Sequence, residues 1–344
     1  EVEGLVEPVD AAVEPEPQDV LELAADLGEE PRRYGADHPH YDRDELHEVV
    51  RGWRRVLDDY DGDRLMVAEA WVEPDRLPLY LRPDEYHQAF NFDLLNAPFD
   101  ATAFRSTIDD ALSAAVAEGS IPTWVLSNHD VMRHTTRYGL DADQLWITWP
   151  LDGNRDALDP ERGLRRARAS LLMLLALPGS VYLYQGEELG LPEVWDLDED
   201  VLDDPVWEMS GHTLKGRDGC RVPLPWTDEP PALGFGDSEP WLPQPERFAA
   251  LAASRQDGDP GSTLELYRRL LRLRSEHLPG DDGLTWLDGA AGVLDYRRGN
   301  GLRCTLNTGD TAVAVPAGRQ LANSVGPDPI AELEPDTAVW TLAD

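Results

Sequence analysis

The stretch Ile121–Asp130, IPTWVLSNHD, combines a short apolar run with four polar residues at its end. A run such as Trp124–Leu126 is typical of a parallel strand that is buried on both faces between two layers. In barrels of alternating strands and helices, the functional side chains follow the carboxyl ends of the strands. The residues SNHD occupy that position, and the rest of the chain is interpreted from this stretch outward.

Two further segments have the same pattern. Arg64–Trp71, RLMVAEAW, is apolar until Glu69, and Ser180–Gly190, SVYLYQGEELG, is apolar until its polar second half. Gln88–Leu95 predicts another strand, because its apolar residues alternate with polar ones. Since the carboxyl ends of neighbouring parallel strands meet at one edge, we expect one polar site at one end of a barrel.

Helices are predicted between the strands from capping residues, apolar periodicity and glycine stops. The predicted helical segments are 20–27, 42–60, 100–119, 161–177, 245–254 and 262–277. In the second of these, Asp42 and Glu45 have the spacing of a capping box. Asp100 is predicted to cap the helix at 100–119, and Asp159 with Pro160 is predicted to begin the helix at 161–177. The segment 161–177 is apolar almost all round after Ala169, so we expect it to be buried against the barrel.

From Gly283 the pattern changes to short alternating runs, which predict a small antiparallel β domain. Upstream, we count four strand–helix units with a helix leading, whereas a closed (β/α)8 barrel needs eight. We therefore predict an α/β protein in which residues 1–280 form the second half of a (β/α)8 TIM barrel, from its fourth helix onward. Residues 281–344 are predicted to form all or part of a C-terminal β-sandwich domain. The chain begins at Glu1 without methionine or a targeting segment, which we interpret as a fragment or a processed chain.

The net charge of −37, from 67 acidic and 30 basic residues, excludes several kinds of partner. Nucleic acid and anionic membrane surfaces attract basic proteins, so neither is expected to bind. No apolar run reaches the length of a membrane span. Cys220 and Cys304 lie far apart without metal-binding spacing, so we predict free thiols. We predict neither a metal nor a cofactor. A cytoplasmic location is predicted, and the oligomeric state is left open.

Glu69 and Asp130 follow strands that lie two strand–helix units apart, at about 30 residues per unit. On one rim of a barrel, two such carboxyl groups suit glycoside hydrolysis, in which one protonates the leaving oxygen and the other attacks or stabilises the oxocarbenium ion. A lone carboxylate after a strand is more often a helix cap, and His129 alone is more often structural. Arg133 and Arg137 could equally form ordinary ion pairs on a helix face. From the residues alone, the prediction is an acidic site that binds polyols.

Five segments together resemble the alpha-glucosidase and oligo-1,6-glucosidase branch of the alpha-amylase superfamily, glycoside hydrolase family 13. They are VAEAW, FNFD, SNHDVMRHTTRYG, YLYQGEELGLPEV and GRDGCRVPLPW, and the resemblance extends from near residue 1 to about residue 310. It implies that Glu69 is the general acid/base, with Ala68 at a position where the family has glycine. It also implies that Asp130 is the carboxylate that binds sugar hydroxyls and stabilises the distorted ring. The implied substrate-binding residues are His129, Arg133, Arg137 and Phe90, with Arg137 resembling the clamp for a terminal glucose.

One residue that the family requires is missing. Its nucleophilic aspartate lies in a GFRxDxxxxGL-like segment, whose end Gly4 and Leu5 resemble, so the aspartate would precede Glu1. The resemblance implies a retaining alpha-glucosidase for short oligosaccharides of the maltose or isomaltose type, and the isolated chain is expected to be inactive. The alternatives are a glucosyl transferase or isomerase such as trehalose synthase, and a non-catalytic sugar-binding relative. The linkage that is cut is left open, because the residue that selects it lies beside the missing nucleophile.

Overall fold

The computed structural model describes residues 42–343 apart from 71, 73–75, 281 and 282. The predicted helix at 20–27 and the residues Gly4 and Leu5 lie outside the described residues. In the described part, the helices are α1 Leu46–Asp58, α2 Leu77–Tyr80, α3 Asp93–Asn96, α4 Ala101–Glu118, α5 His134–Arg137, α6 Trp149–Asp152, α7 Pro160–Ala176, α8 Pro205–Met209, α9 Asp218–Arg221, α10 Ala253–Gln256 and α11 Thr263–His277. The strands are β1 Val67–Ala68, β2 Gln88–Ala89, β3 Thr123–Trp124, β4 Ser180–Val181, β5 Leu284–Trp286, β6 Val293–Arg298, β7 Leu302–Asn307, β8 Val313–Ala314, β9 Arg319–Asn323, β10 Glu332–Leu333 and β11 Thr337–Leu342. None of these helices is both long enough and apolar enough to cross a membrane.

The first four strands form two parallel pairs, β1 with β2 and β3 with β4. Side chains join the pairs: the Thr123 hydroxyl donates to the Ala89 carbonyl oxygen at 2.6 Å and accepts from the Asn91 N–H at 3.1 Å. The Gln88 amide donates to the Ser180 hydroxyl at 2.6 Å. Four short parallel strands therefore lie side by side, with helices between them along the chain, as in part of a barrel.

The predicted strand Gln88–Leu95 is wrong in its second half. Only β2 is extended, and residues Asp93–Asn96 form α3 instead. The cause is local, because the Asn91 side-chain oxygen accepts from the Asp93 N–H at 2.9 Å and turns the chain. This helical turn buries the adjacent residues Leu94 and Leu95 together, which an alternating strand with one buried face would not do.

The predicted capping box at α1 is also wrong. The helix begins at Leu46, and Glu45 in the capping position makes no side-chain capping bond. The Asp42 carboxylate instead accepts from Arg76 Nε at 2.5 Å and from the Tyr80 hydroxyl at 2.8 Å. A charged donor forms a stronger bond with a carboxylate than a backbone N–H does, so the distant arginine displaces the cap.

The other caps are confirmed. The Asp100 carboxylate accepts from the N–H groups of Thr102 and Ala103, both at 2.9 Å, at the start of α4. The Asp159 carboxylate accepts from the Arg162 N–H at 2.9 Å, at the start of α7. Each bond satisfies N–H groups that the first helical turn leaves without a partner.

The predicted burial of α7 is confirmed, and its second half is enclosed on all sides. Its side chains from Leu171 to Ala176 are fully buried. On one side lies the C-terminal sheet, whose Tyr296 hydroxyl donates to the Met173 carbonyl oxygen at 2.6 Å and whose Trp340 indole donates to Leu172 at 2.9 Å. The second half of α7 is therefore apolar all round because protein surrounds every face of it.

The predicted antiparallel pattern of the C-terminal region is confirmed. Five strands form one antiparallel sheet in the order β5-β6-β7-β11-β9, and β8 pairs with β10 in a separate small sheet. The boundary between the two predicted domains remains a prediction.

One face of α1 is apolar and exposed. Leu46, Val49, Trp53 and Val56 recur at helical spacing and are 38%, 47%, 53% and 59% exposed. The opposite face is buried, and the His47 ring lies 2.6 Å from a Glu85 carboxylate oxygen. An apolar stripe of this kind normally packs against another element.

Buried and exposed apolar side chains are expected to contribute differently to stability. Leu171→Ala is expected to lower the free energy of unfolding by about 2–5 kcal/mol, because it leaves a cavity in the core. Trp53→Ser is expected to change it by about 0.5 kcal/mol or less, because the ring is half exposed. Urea unfolding followed by circular dichroism measures both. A large loss for Trp53→Ser would show that another part of the chain covers this face.

Candidate active site

Three side chains predicted from the sequence meet at the end of the parallel strands. Glu69, His129 and Asp130 each offer a nitrogen or carboxylate oxygen, and these atoms all lie within 4.8 Å of one another. Glu69 follows β1, and the other two follow β3. Glu69 and His129 are exposed, and the side chain of Asp130 is 26% exposed. The structure therefore brings these three residues together where a ligand can reach them, and their roles remain a prediction.

A turn built on Asn128 presents Asp130. The Asn128 side-chain oxygen accepts from the N–H groups of Asp130 at 2.9 Å and Val131 at 3.1 Å. An asparagine that binds the backbone two residues further on forms a tight turn. The turn places His129 Nε2 at 3.3 Å from Asp130 Oδ1.

Two arginines hold one oxygen of Asp130. Arg217 Nη1 and Arg221 Nη2 donate to Oδ1 at 3.1 and 3.0 Å. Arg221 Nε also donates to the His129 carbonyl oxygen at 2.9 Å. No residue in the described part of the chain bonds Oδ2, so that oxygen is left for a ligand. Sequence analysis had quoted both arginines only within the motif GRDGCRVPLPW and had given them no partner.

The guanidinium groups of Arg133 and Arg137 donate to backbone carbonyl oxygens. Arg133 is 3% exposed and donates to the carbonyl oxygens of Gln185 and Cys220, both at 2.9 Å. Arg137 donates to the Leu126 carbonyl oxygen at 2.7 Å. Both guanidinium groups therefore tie the turn to neighbouring backbone, and their contact with a sugar remains a prediction.

Phe90 belongs to an aromatic group beside β2 and β4. Its ring meets the Tyr182 ring edge-on, with the centroids 4.7 Å apart, and lies 5.8 Å from the Phe92 ring. The Tyr182 hydroxyl donates to the Gln88 side-chain oxygen at 2.9 Å. This packing fixes the Phe90 ring, and its predicted role in lining the sugar site is untested.

The family Alpha amylase, catalytic domain, matches residues 17–280. The chain belongs to the alpha-amylase family. The recognition made from its motifs is thereby confirmed.

Relatives in the alpha-amylase family include glucosidases and transfer enzymes. A probable alpha-glucosidase of Rhizobium meliloti is 34% identical over 236 residues, which are 67% of this chain and 38% of that protein. A trehalose synthase/amylase of Mycobacterium tuberculosis is 28% identical over 261 residues, covering 68% of this chain and 40% of that protein. The crystal structure of an alpha-glucosyl transfer enzyme, XgtA, aligns with a TM-score of 0.68 and 30% identity over 91% of this chain and 59% of that one. The chain thus spans about two fifths of the length of these curated relatives.

Two buried carboxyl groups brace the site of this alpha-amylase family member, and sequence analysis had given neither of them a role. Glu193 Oε2 accepts from the Arg133 N–H at 2.9 Å, and burial raises the pKa of Glu193 to about 7. Glu187 Oε2 accepts from the Tyr267 hydroxyl at 3.2 Å, and burial raises the pKa of Glu187 to about 8. Their only sequence signal was their position in the segment YLYQGEELGLPEV.

The clustered residue types also bear on metal binding. Glutamate, histidine and aspartate are ligand types for divalent cations, and no other such group occurs among the described residues. Two guanidinium groups already contact Asp130 Oδ1, and they repel a further positive charge at this point. The arrangement is better suited to a neutral polyol, whose hydroxyl groups donate to carboxylate oxygens.

The raised pKa of Glu193 predicts that the free energy of unfolding depends on pH. Its pKa rises from 4.5 to about 7 on folding, so the folded state retains a proton that the unfolded state releases in this range. Its contribution to stability is full below pH 4.5 and is lost as the pH rises through about 7. In urea unfolding, the wild-type chain should therefore lose stability relative to Glu193→Gln across this interval. The exposed Glu239 gives the control Glu239→Gln, and identical pH curves for wild type and Glu193→Gln would contradict the assignment.

Proposed function

We propose that this chain supplies the acid/base and the sugar-binding carboxylate of a retaining alpha-glucosidase acting on short oligosaccharides of the maltose or isomaltose type. The observation that carries the proposal is the meeting of Glu69, His129 and Asp130 within 4.8 Å at the ends of parallel strands. A relative named as a probable alpha-glucosidase, 34% identical, supports this choice within the family.

The roles follow from exposure and bonding. Glu69 is exposed, so its carboxyl group can reach a glycosidic oxygen and protonate it as the bond breaks. Asp130 has Oδ1 bound by arginines and Oδ2 open, so it can accept bonds from the hydroxyl groups of the distorted sugar. His129 is exposed beside Asp130 and can donate to a further hydroxyl group.

The proposed reaction needs a nucleophile in addition to these two carboxyl groups. The cluster found in the described residues contains Glu69 and Asp130 as its carboxylates. We propose that the active enzyme contains further barrel strands that supply the nucleophilic aspartate. Two observations on the described residues support this proposal: they contain four parallel strands where a closed barrel has eight, and one apolar face of α1 is exposed.

A second candidate is a glucosyl transferase or isomerase. The 28% identical trehalose synthase/amylase and the 30% identical alpha-glucosyl transfer enzyme favour it. Incubating the intact protein with maltose separates the two: hydrolysis yields glucose, whereas transfer yields new disaccharides or longer products. A non-catalytic sugar-binding protein is disfavoured, since it would have no use for an exposed carboxyl group at Glu69.

The isolated 344-residue chain is expected not to hydrolyse aryl alpha-glucosides, because a covalent step without a nucleophile cannot proceed. Release of the phenol is the measurement, and Glu69→Gln is the matched control. Turnover by the chain that is absent from the control would contradict the need for further strands.

In the intact protein, Glu69→Ala is expected to slow the reaction by about 10²–10⁴-fold, the usual value of general acid/base assistance. With an activated aryl glucoside, azide should restore the rate, because this anion attacks the glycosyl-enzyme without a base. The product should be the alpha-linked glycosyl azide, identified by NMR. A beta-linked azide would show a single inversion and would exclude the retaining mechanism.

A further inference from the structure

Arg217, which contacts Asp130, forms a second ion pair with Asp204, a residue that was not singled out from the sequence. The side chain of Asp204 is completely buried, and it binds Arg217 by both oxygens. Arg217 Nε donates to Oδ2 at 2.5 Å, and Arg217 Nη2 donates to Oδ1 at 3.0 Å. This is the two-bond geometry in which an arginine and a carboxylate pair most strongly.

The surrounding loop is built around the Asp204 carboxylate. It also accepts from the backbone N–H groups of Val206 at 3.1 Å and Arg217 at 2.8 Å. Gly216 has a φ of +71°, and a Cβ there would lie 2.8 Å from the Asp204 carboxyl carbon. The Asp204 N–H is itself bonded to Asp218 Oδ2 at 2.9 Å. Backbone and side chain therefore fix this carboxylate independently of Asp130.

The pairing determines which part of Arg217 faces the site. A guanidinium group is planar and rigid, so binding Nε and Nη2 fixes the direction of Nη1. Nη1 then offers a single N–H to Asp130 Oδ1 at 3.1 Å. Arg221 makes its contact with the same oxygen, and Oδ2 stays open.

We propose that Asp204 is a positioning residue that occupies the paired N–H groups of Arg217 and so prevents Arg217 from binding both oxygens of Asp130. Without Asp204, the same guanidinium group is released beside an aspartate, and the two-bond pair is the favoured geometry. Such a pair would cover Oδ2, the oxygen that the proposed glucosidase uses for sugar hydroxyls. The kinetic consequences of this inference rest on the proposed function. Its structural consequences rest on the contacts alone.

This role predicts a particular kinetic change. If Arg217 covers Oδ2 in the free enzyme, only the fraction with an open Asp130 binds substrate, and the apparent dissociation constant rises as that fraction falls. Saturating substrate restores the open form, so kcat changes little. A purely structural loss does the opposite, because a smaller folded fraction lowers the apparent kcat and leaves KM unchanged.

The test compares four variants of the intact protein with an aryl alpha-glucoside. Asp204→Asn should raise KM by about 10-fold to 10²-fold with kcat nearly unchanged, the rise expected if Oδ2 is open in only about 1–10% of the free enzyme. Asp203→Asn is the matched control, since this neighbour is exposed and should change KM by about twofold or less. Arg217→Gln added to Asp204→Asn should lower KM again, because the group that covers Oδ2 is gone. Arg217→Gln alone shows the effect of losing the single contact.

A crystal structure of the Asp204→Asn variant gives a reading that does not depend on activity. Arg217 should contact both oxygens of Asp130. If Arg217 keeps its single contact, or if Asp204→Asn lowers kcat without raising KM, the inference is overturned. If the wild-type protein cleaves no alpha-glucoside, the proposed function fails, and the crystal structure alone still decides the role of Asp204.

Discussion

The contact of Asp130 with Arg217 and Arg221 is the interaction on which the candidate site depends. Two guanidinium groups approach one carboxylate oxygen at 3.0 and 3.1 Å. They come from Arg217 and Arg221, about 90 residues further along the chain, so this contact forms only when the segment around α9 folds back against the end of β3. In a chain with a net charge of −37, this local supply of positive charge lets carboxyl groups gather at one rim.

The segment around α9 can be held in place because the elements beneath it are rigid. Trp124 in β3 is fully buried, and its indole donates to the Pro178 carbonyl oxygen at 2.5 Å, which links the strand to the start of β4. Behind the strands, α7 is enclosed by the C-terminal sheet, and Tyr296 and Trp340 bond its backbone. The antiparallel domain therefore supports the layer that carries the site, and sites on supported elements keep their geometry better than sites on loops alone.

Sequence reasoning was most successful where the determining contacts are local. The caps at Asp100 and Asp159 and the burial of α7 follow from residues within a few positions of each other. It failed at Asp42, whose partner Arg76 lies 34 residues away, and it had no means of pairing Asp204 with Arg217 or Arg217 with Asp130. The strand ends located Glu69, His129 and Asp130 because a period of strands and helices places their termini on one rim. Arg217 and Arg221 follow no periodic pattern, so sequence analysis gave them no place at this rim.

Lys215 and Arg217 are not interchangeable, because their side chains form different kinds of hydrogen bond. Lys215, the single lysine among 30 basic residues, donates to the carbonyl oxygens of Trp195 and Leu197 at 3.2 and 2.7 Å. A compact ammonium group suits two nearby carbonyl oxygens, since its donors rotate freely. Arg217 must bond one carboxylate with two nitrogens and a second carboxylate with the third, which requires a planar group with separated donors. A lysine at position 217 would keep the charge, but it could not hold Asp204 and still reach Asp130 from a fixed direction.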